Sequence, residues 1–178
     1  MLKIKISSNE LYDERTGEFI MIPEQTLEFE HSLVSISEWE SHWCKPFISE
    51  NEKTEEETID YIRCMCLTPD VDDYVFTCMS DDDIRRIKKY IDSPMTASTV
   101  NDIESSSNSG EFITSELIYY WMSEHRIDIS CETWHLNRLL MLIEICNAKR
   151  RPPKKWSNSE IVAHHRTINK QRRKAMKG

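Results

Sequence analysis

The chain has 178 residues, of which 39% are hydrophobic and 30% are charged. This length suggests one domain that can bury a hydrophobic core without disulfides or a metal. It contains three glycines and no G-x-G-x-x-G, Walker A or G-x-S-x-G motif, which argues against the common phosphate-binding loops and the serine-hydrolase nucleophile turn.

Charge is distributed unevenly along the chain, whose formal net charge is -8. Residues 149–178 contain 11 Lys and Arg and a single acid, which gives this end about +10. Residues 1–148 contain 12 Lys and Arg and 30 Asp and Glu, which gives about -18. An acidic body followed by a basic end predicts that the end binds either this body or another molecule.

The sequence predicts a cytosolic protein. Its opening residues, "MLKIKISSNELYDE", lack the apolar core of a secretory signal peptide. No run of residues approaches the roughly 20 apolar residues that a membrane-spanning helix needs. We therefore expect its six cysteines to be reduced.

The first 30 residues predict short β-strands. "LKIKI" and "QTLEFE" alternate apolar and polar residues, as half-buried strands do. Between them, the turn-like "DERTGE" separates two apolar runs, so we expect two or three strands in an antiparallel hairpin or meander within residues 2–30. Pro23 predicts an edge or a turn in this segment.

The remainder of the chain predicts helices, because capping boxes precede apolar residues at 3,4 spacing. "SISE" at Ser35–Glu38 precedes two tryptophans, and Pro46 ends or kinks that helix. "TEEE" at Thr54–Glu57 and "SDDD" from Ser80 open two further helices. The predicted fold class is α+β and mostly helical.

Composition divides the chain into four parts. A Ser/Asn/Thr-rich linker or loop separates an N-terminal α+β region from an aromatic helical hairpin. The tandem prolines of "RRPPKK" then precede a basic C-terminal helix, which "SNSE" at Ser157–Glu160 opens as a capping box. The four parts are residues 1–92, 93–111, 112–148 and 149–178.

The stretch Ile113–Cys146 is the most apolar part of the chain and predicts the helical hairpin. We expect helices over residues 112–125 and 131–147, with Ser130 or Asp128 as the N-cap of the second. The second helix is apolar nearly all round, as buried helices are.

The residue pattern gives little support for a metal or a catalytic site. His125, Cys131 and His135 lack the paired spacing of structural zinc ligands, and Cys64 and Cys66 are separated by one residue. No Cys–His pair stands out as nucleophile and base, and the acids of "DVDD" and "SDDDI" lack the register of an EF-hand loop. We therefore expect cysteines in the core, and no catalytic residue, metal or cofactor.

The hairpin also carries a candidate protein-binding surface. Trp, Tyr and Met are enriched at the centres of interfaces, but two helices that pack together use the same residues. The sequence alone leaves both interpretations open. The candidate residues are Tyr120, Trp121, Trp134, Leu139 and Ile143.

The basic end has the charge for phosphate contacts. It contains no recognisable base-reading motif, and the acidic body would oppose a duplex, so we expect nucleic acid to be the less favoured partner. Pairing of this end with the acidic body or with another protein is the favoured alternative. The candidate residues are Lys154, Lys155, Arg166, Arg172 and Arg173.

Several segments spread over most of the chain carry a family resemblance. They are "LEFEHSLVSISEWESHWCKPF", "TIDYIRCMCLT", "ITSELIYYWM", "WHLNRLLMLI" and the closing "PPKK…N…RR". With these segments the chain resembles the tail assembly chaperones of long-tailed bacteriophages. The resemblance implies a non-enzymatic protein of the infected bacterial cytoplasm that binds the tape measure protein and tail tube subunits. It implies no catalytic residues.

The residue pattern is also compatible with two other functions. A structural virion component of the neck, tail or baseplate would use the same aromatic surface and stay in the particle. A phage regulator would bind nucleic acid through residues 149–178, in a salt-dependent manner. We also expect that the chain can self-associate, and we expect no membrane partner.

Overall fold

The computed structural model describes residues 1–13, 17–49, 52–98 and 112–150, together with Arg166 and Ile168. Its strands come first and its helices after, which confirms the predicted α+β class. The strands are β1 (Leu2–Ile6), β2 (Asn9–Asp13), β3 (Glu18–Ile22) and β4 (Gln25–Phe29). The α-helices are α1 (Leu33–Trp43), α2 (Glu55–Cys64), α3 (Asp73–Thr77), α4 (Asp81–Ile91), α5 (Ser115–His125) and α6 (Leu136–Arg150), and a 3-10 helix spans Ile129–Thr133.

Residues Met1–Cys146 form one compact unit, and Asn147–Gly178 form a second. The core of the first unit combines the strands with both halves of the helical sequence. Phe29 of β4, Trp39 of α1 and Leu139 of α6 are among its most buried side chains, and each such burial contributes about 1.5–3 kcal/mol. Helix α1 is central, because it packs against α2, α5 and the 3-10 helix.

The four strands form one two-stranded ribbon with a gap. β1 pairs with β4, and β2 pairs with β3, both antiparallel. The ladder stops after the pair Ile6–Gln25 and resumes in the same register at the pair Asn9–Ile22. Pro23 lies in the gap because it has no N–H to donate to a ladder.

The side of the ribbon that meets the core changes at this gap. In β1 and β4, Ile4 and Leu27 are paired and buried. In a flat ribbon, alternation would turn Tyr12 and Phe19 to that same side. Instead both are exposed, while Ile22 on the other side is buried. The ribbon is therefore rotated at the gap, in line with the strong twist of two-stranded ribbons.

Helix α1 begins one turn before the predicted capping box. Its N-cap is Ser32, which exchanges hydrogen bonds with Ser35 as the third helical residue. The prediction of a box at Ser35–Glu38 is therefore wrong, because Ser35 is already inside the helix and buried. The helix ends at Trp43, and Cys44 follows in the left-handed conformation with φ of 52°.

The capping box predicted for α2 is confirmed, and so is the predicted start of α4 at Ser80. Thr54 and Glu57 exchange hydrogen bonds at the start of α2, and Ser80 and Asp83 do so at the start of α4. Helix α3 has five residues, which is too short for an apolar period to reveal it. The box predicted at Ser157–Glu160 lies outside the described residues.

The C-terminal stretch contains a break that the sequence did not predict. Helix α5 lies within the predicted segment 112–125. The first turn of the predicted helix 131–147 is instead the end of the 3-10 helix, which Asp128 caps. Trp134 is extended, and α6 begins only at Leu136. The predicted start at residue 131 is wrong because the N–H of Trp134 bonds three residues back, to the carbonyl of Cys131, at 3.0 Å.

Candidate functional site

The five residues predicted as a protein-binding surface do not share one exposed face. Leu139 and Ile143 are core residues with 0% and 3% of their surface exposed. Trp121 and Trp134 are half-buried and pack against the core. Tyr120 is 60% exposed, so it is the member of this set with most of its side chain accessible to a partner.

The aromatic residues around the α5–α6 connection make contacts within the chain. The guanidinium of Arg138 lies 4.0 Å from the ring centre of Trp134, in a cation–π arrangement. Tyr119 donates a hydrogen bond to Glu132 at 2.8 Å. Burial, together with this carboxylate, raises the pKa of Tyr119 to about 12. These contacts fix the connection between the two helices.

Of the five predicted basic residues, the structure describes Arg166. It is helical and exposed. Lys154, Lys155, Arg172 and Arg173 lie outside the described residues.

Two of the three residues considered as zinc ligands in the sequence, His135 and Cys131, are buried. His135 donates from Nε2 to the carbonyl of Tyr90 at 3.0 Å and accepts at Nδ1 from the N–H of Asn137 at 3.3 Å. Both of its ring nitrogens are thus occupied, and burial lowers its pKa. Cys131 is 7% exposed, and burial raises the pKa of its thiol. A neutral thiol in an apolar environment is a poor nucleophile.

His125, the third residue of that set, differs from His135 in its hydrogen bonding. Its Nδ1 is buried and makes no hydrogen bond to the part of the chain that the structure describes. Within residues 1–13, 17–49, 52–98 and 112–150, no three His, Cys, Asp or Glu side chains are placed to hold a metal ion.

A second buried histidine lies beside His135. The rings of His31 and His135 are 5.1 Å apart and edge-to-face. His31 Nδ1 is hydrogen-bonded to the hydroxyl of Tyr61. Burial, with a smaller contribution from His135, lowers the pKa of His31 to about 3. Both imidazoles are therefore neutral at pH 7.

Three buried carboxylates hold the segments around α1 together. Glu40 accepts the N–H groups of Phe47 and Ser115, each at 2.7 Å. Asp60 accepts from His42, Trp43 and Arg63. Glu57 accepts from Lys45 and from the N–H of Thr54, and these hydrogen bonds lower its pKa. Their oxygens are thus occupied by structural partners.

The tip of the ribbon, by contrast, presents apolar side chains to solvent. Tyr12, Phe19 and Met21 are 56%, 66% and 68% exposed. Tyr12 and Phe19 are directly opposite each other on β2 and β3, with ring centres 5.1 Å apart. We call the side formed by Glu10, Tyr12, Phe19 and Met21 the ribbon face. A cluster of large exposed apolar side chains is typical of an interaction site.

The other side of the tip is anchored to the helical part of the unit. Tyr74 of α3 donates a hydrogen bond to Asp13 at 3.1 Å. The amide of Asn9 lies 3.5 Å from the sulfur of Cys78. Leu11 packs against the core. The ribbon face is therefore supported from behind.

Sequence analysis missed the ribbon face, although a signal was present. The strand "EFIMI" has four apolar residues in succession, so both of its sides are apolar. Such a strand is either buried on both sides or has one apolar side left for a partner. The alternation of the flanking strands indicates only the side that faces the core.

Comparisons with known proteins identify no relatives. No family model, curated protein or solved structure matches this chain. Within the described ranges, no helix is both long and apolar enough to cross a bilayer.

Proposed function

We propose that this chain is a non-enzymatic assembly factor of the phage tail assembly chaperone class. In this proposal it binds the tape measure protein and tail tube subunits in the cytoplasm of the infected bacterium. The proposal combines the family resemblance of its sequence segments with the placement of its exposed side chains.

The observation that carries the proposal is the ribbon face. The rings of Tyr12 and Phe19 pack against each other in a tilted arrangement and are exposed instead of buried in the core. Large apolar side chains that stay exposed do not contribute the free energy of burial to the stability of the isolated chain. Their placement is explained if they contact another protein, because aromatic residues and Met dominate interface cores.

The buried polar residues support the same proposal. His31, His135 and Glu40 are engaged by partners inside the fold. Their contacts stabilise the chain and account for their burial without a reacting substrate. A protein that holds a client needs a stable scaffold and an accessible apolar surface, and it needs no chemistry.

Quantitative mass spectrometry of purified phage particles and of infected cells tests the proposal. We expect the chain to be abundant in cells before lysis and absent from finished particles, since an assembly chaperone leaves its client. The tail tube protein serves as the control that is present in both samples.

A structural component of the neck, tail or baseplate is the alternative that the same surface favours. A permanent interface would also bury Tyr12 and Phe19. This alternative predicts a fixed copy number in every particle, and that result would contradict the chaperone proposal.

A nucleic-acid-binding regulator remains a third proposal, supported by the charge of residues 149–178. It predicts DNA binding that weakens with salt and disappears when these residues are removed.

A further inference from the structure

We propose that the ribbon face binds the apolar stripe of a basic amphipathic helix in the partner protein. This inference rests on the proposed function and names the chemistry of the segment that the chain would hold. Its basis is the geometry of the ribbon face and the charge around it.

The geometry suits a helix that lies along the ribbon. Phe19 and Met21 are two residues apart on β3, which separates their side chains by about 7 Å. Successive turns of a helix are about 5.4 Å apart. Tyr12 widens the face across the ribbon, opposite Phe19. Apolar side chains from two helical turns can therefore reach this face, and the unbranched Met21 can adapt to their shape.

The support behind the ribbon face favours binding. Tyr74 and Asp13 tie the tip to α3, and the cross-strand pairing fixes Tyr12 against Phe19. A preformed surface loses less conformational entropy on binding than a surface that must be ordered first.

The charge around the ribbon face selects a basic partner. Glu10 lies opposite Met21, on the same side as the exposed aromatic rings. Among the four residues of the ribbon face, Glu10 is the charged one, and its exposed carboxylate forms an acidic rim beside the apolar side chains. A partner helix with Lys or Arg beside its apolar stripe would complement this rim.

The same charges disfavour a second copy of the chain as the occupant. A two-fold contact through the ribbon face would place the Glu10 carboxylates of two chains in the same interface. Like charges at an interface oppose association. The rim therefore points to a different, basic protein segment.

Two synthetic helical peptides can test this inference on the full-length chain. Both are about 18 residues long, or five turns, and carry the same leucine stripe. One has Lys on both flanks of the stripe, and the other has Glu. Fluorescence anisotropy of the labelled peptides gives the dissociation constants. We expect the Lys peptide to bind at least about tenfold more tightly than the Glu peptide.

Four variants separate the ribbon face from general attraction to an acidic protein. Tyr12→Ser with Phe19→Ser removes the apolar contact, and Glu10→Lys reverses the rim charge. The matched controls are Phe112→Ser, which alters an aromatic residue of similar exposure, and Glu38→Lys on the exposed side of α1. We expect the two ribbon variants to weaken Lys-peptide binding by about tenfold or more and the two controls to weaken it much less.

Two results would overturn the inference. Equal losses in the ribbon variants and their controls would mean that the peptide is attracted by net charge alone. A wild-type dimer in sedimentation that the Phe19→Ser change dissociates would mean that a second copy occupies the face. Either result leaves the particle measurement of the proposed function intact, so the two failures can be told apart.

Discussion

At the scale of single residues, burial separates the side chains that stabilise the fold from those that are free to bind. Leu139 and Tyr120 were both predicted as binding residues, yet one is fully buried and the other is 60% exposed. The distinction depends on the packing of α6 and α5 against the rest of the chain. Helical spacing alone does not reveal it.

The pair Leu139→Ala and Tyr120→Ser tests this distinction. We expect Leu139→Ala to lower the free energy of unfolding by about 2–5 kcal/mol, because it leaves a cavity in the core. We expect Tyr120→Ser to change it by about 0.5 kcal/mol or less, as exposed positions usually do. Urea unfolding followed by tryptophan fluorescence measures both. Similar losses in the two variants would contradict the placement of these residues.

Glu40 provides a second test at this scale. Its two carboxylate oxygens accept the N–H groups of Phe47 and Ser115, which are distant in sequence. Glu40→Gln replaces one of these acceptor oxygens with an amide donor and so leaves one N–H without a partner. We expect a loss of about 1–3 kcal/mol in unfolding free energy. The control is Glu38→Gln on the exposed side of α1, and an equal loss in that variant would contradict the proposed role of Glu40.

At the scale of elements, a network of hydrogen bonds around the buried His31 and His135 connects three parts of the chain. We call this network the joint. The N–H of Leu136 at the start of α6 donates to the carbonyl of His31, just before α1, at 2.7 Å. His135 bonds to the carbonyl of Tyr90, near the end of α4. The hydroxyl of Tyr90 in turn donates to Glu30 at 2.7 Å.

Asn137 and the chain terminus complete this joint. The amide of Asn137 donates to the carbonyls of Ile91 and Ser93 after α4. The amino group of Met1 pairs with Glu30 at 2.7 Å. The joint therefore connects the ribbon, α1, α4 and α6, and the bond from the N–H of Asn137 to Nδ1 of His135 requires a neutral imidazole.

The joint predicts that stability falls as the pH falls below about 6.5. The ordinary pKa of a histidine is about 6.5, and that of His31 in the folded chain is about 3. Between these values the unfolded chain binds a proton that the folded chain does not, so acid favours unfolding. For His31 alone we expect a loss of about 2 kcal/mol between pH 7 and pH 5.

Urea unfolding at several pH values, in wild type and in His31→Asn, measures this effect. Asparagine cannot titrate but can still hydrogen-bond to Tyr61, so the variant should show a weaker dependence on pH above 5. Below that range the carboxylates also titrate. Equal slopes in the two proteins would contradict a neutral, buried His31.

Local signals predicted some elements and not others, for physical reasons. The box at Thr54 and the helix start at Ser80 were predictable because each signal is complete within four residues. The start of α1 was misplaced because two serines three residues apart compete for the cap, and tertiary contacts bury Ser35. The break at Trp134 and the rotation of the ribbon depend on distant partners, which a local pattern does not contain.

At the scale of the whole molecule, the first compact unit has an acidic sequence and combines a hydrophobic core with an apolar ribbon face. The sequence predicted the α+β class and an apolar binding surface, but it placed that surface on the C-terminal helices. The structure buries Leu139 and Ile143 and half-buries Trp121 and Trp134. It exposes Tyr12, Phe19 and Met21 on the ribbon. A run of apolar residues indicates that a strand has two apolar sides. Which of the two sides stays exposed to solvent depends on how the rest of the chain packs.

The most direct test of the chaperone account is the solubility of the tape measure protein when it is co-expressed with this chain. The soluble fraction should rise with the wild-type chain, because apolar stripes on the client would be covered. It should fall back toward the value without the chain when Tyr12→Ser and Phe19→Ser are combined, while Phe112→Ser should behave as wild type. A tape measure protein that is equally insoluble with and without the wild-type chain would contradict the account.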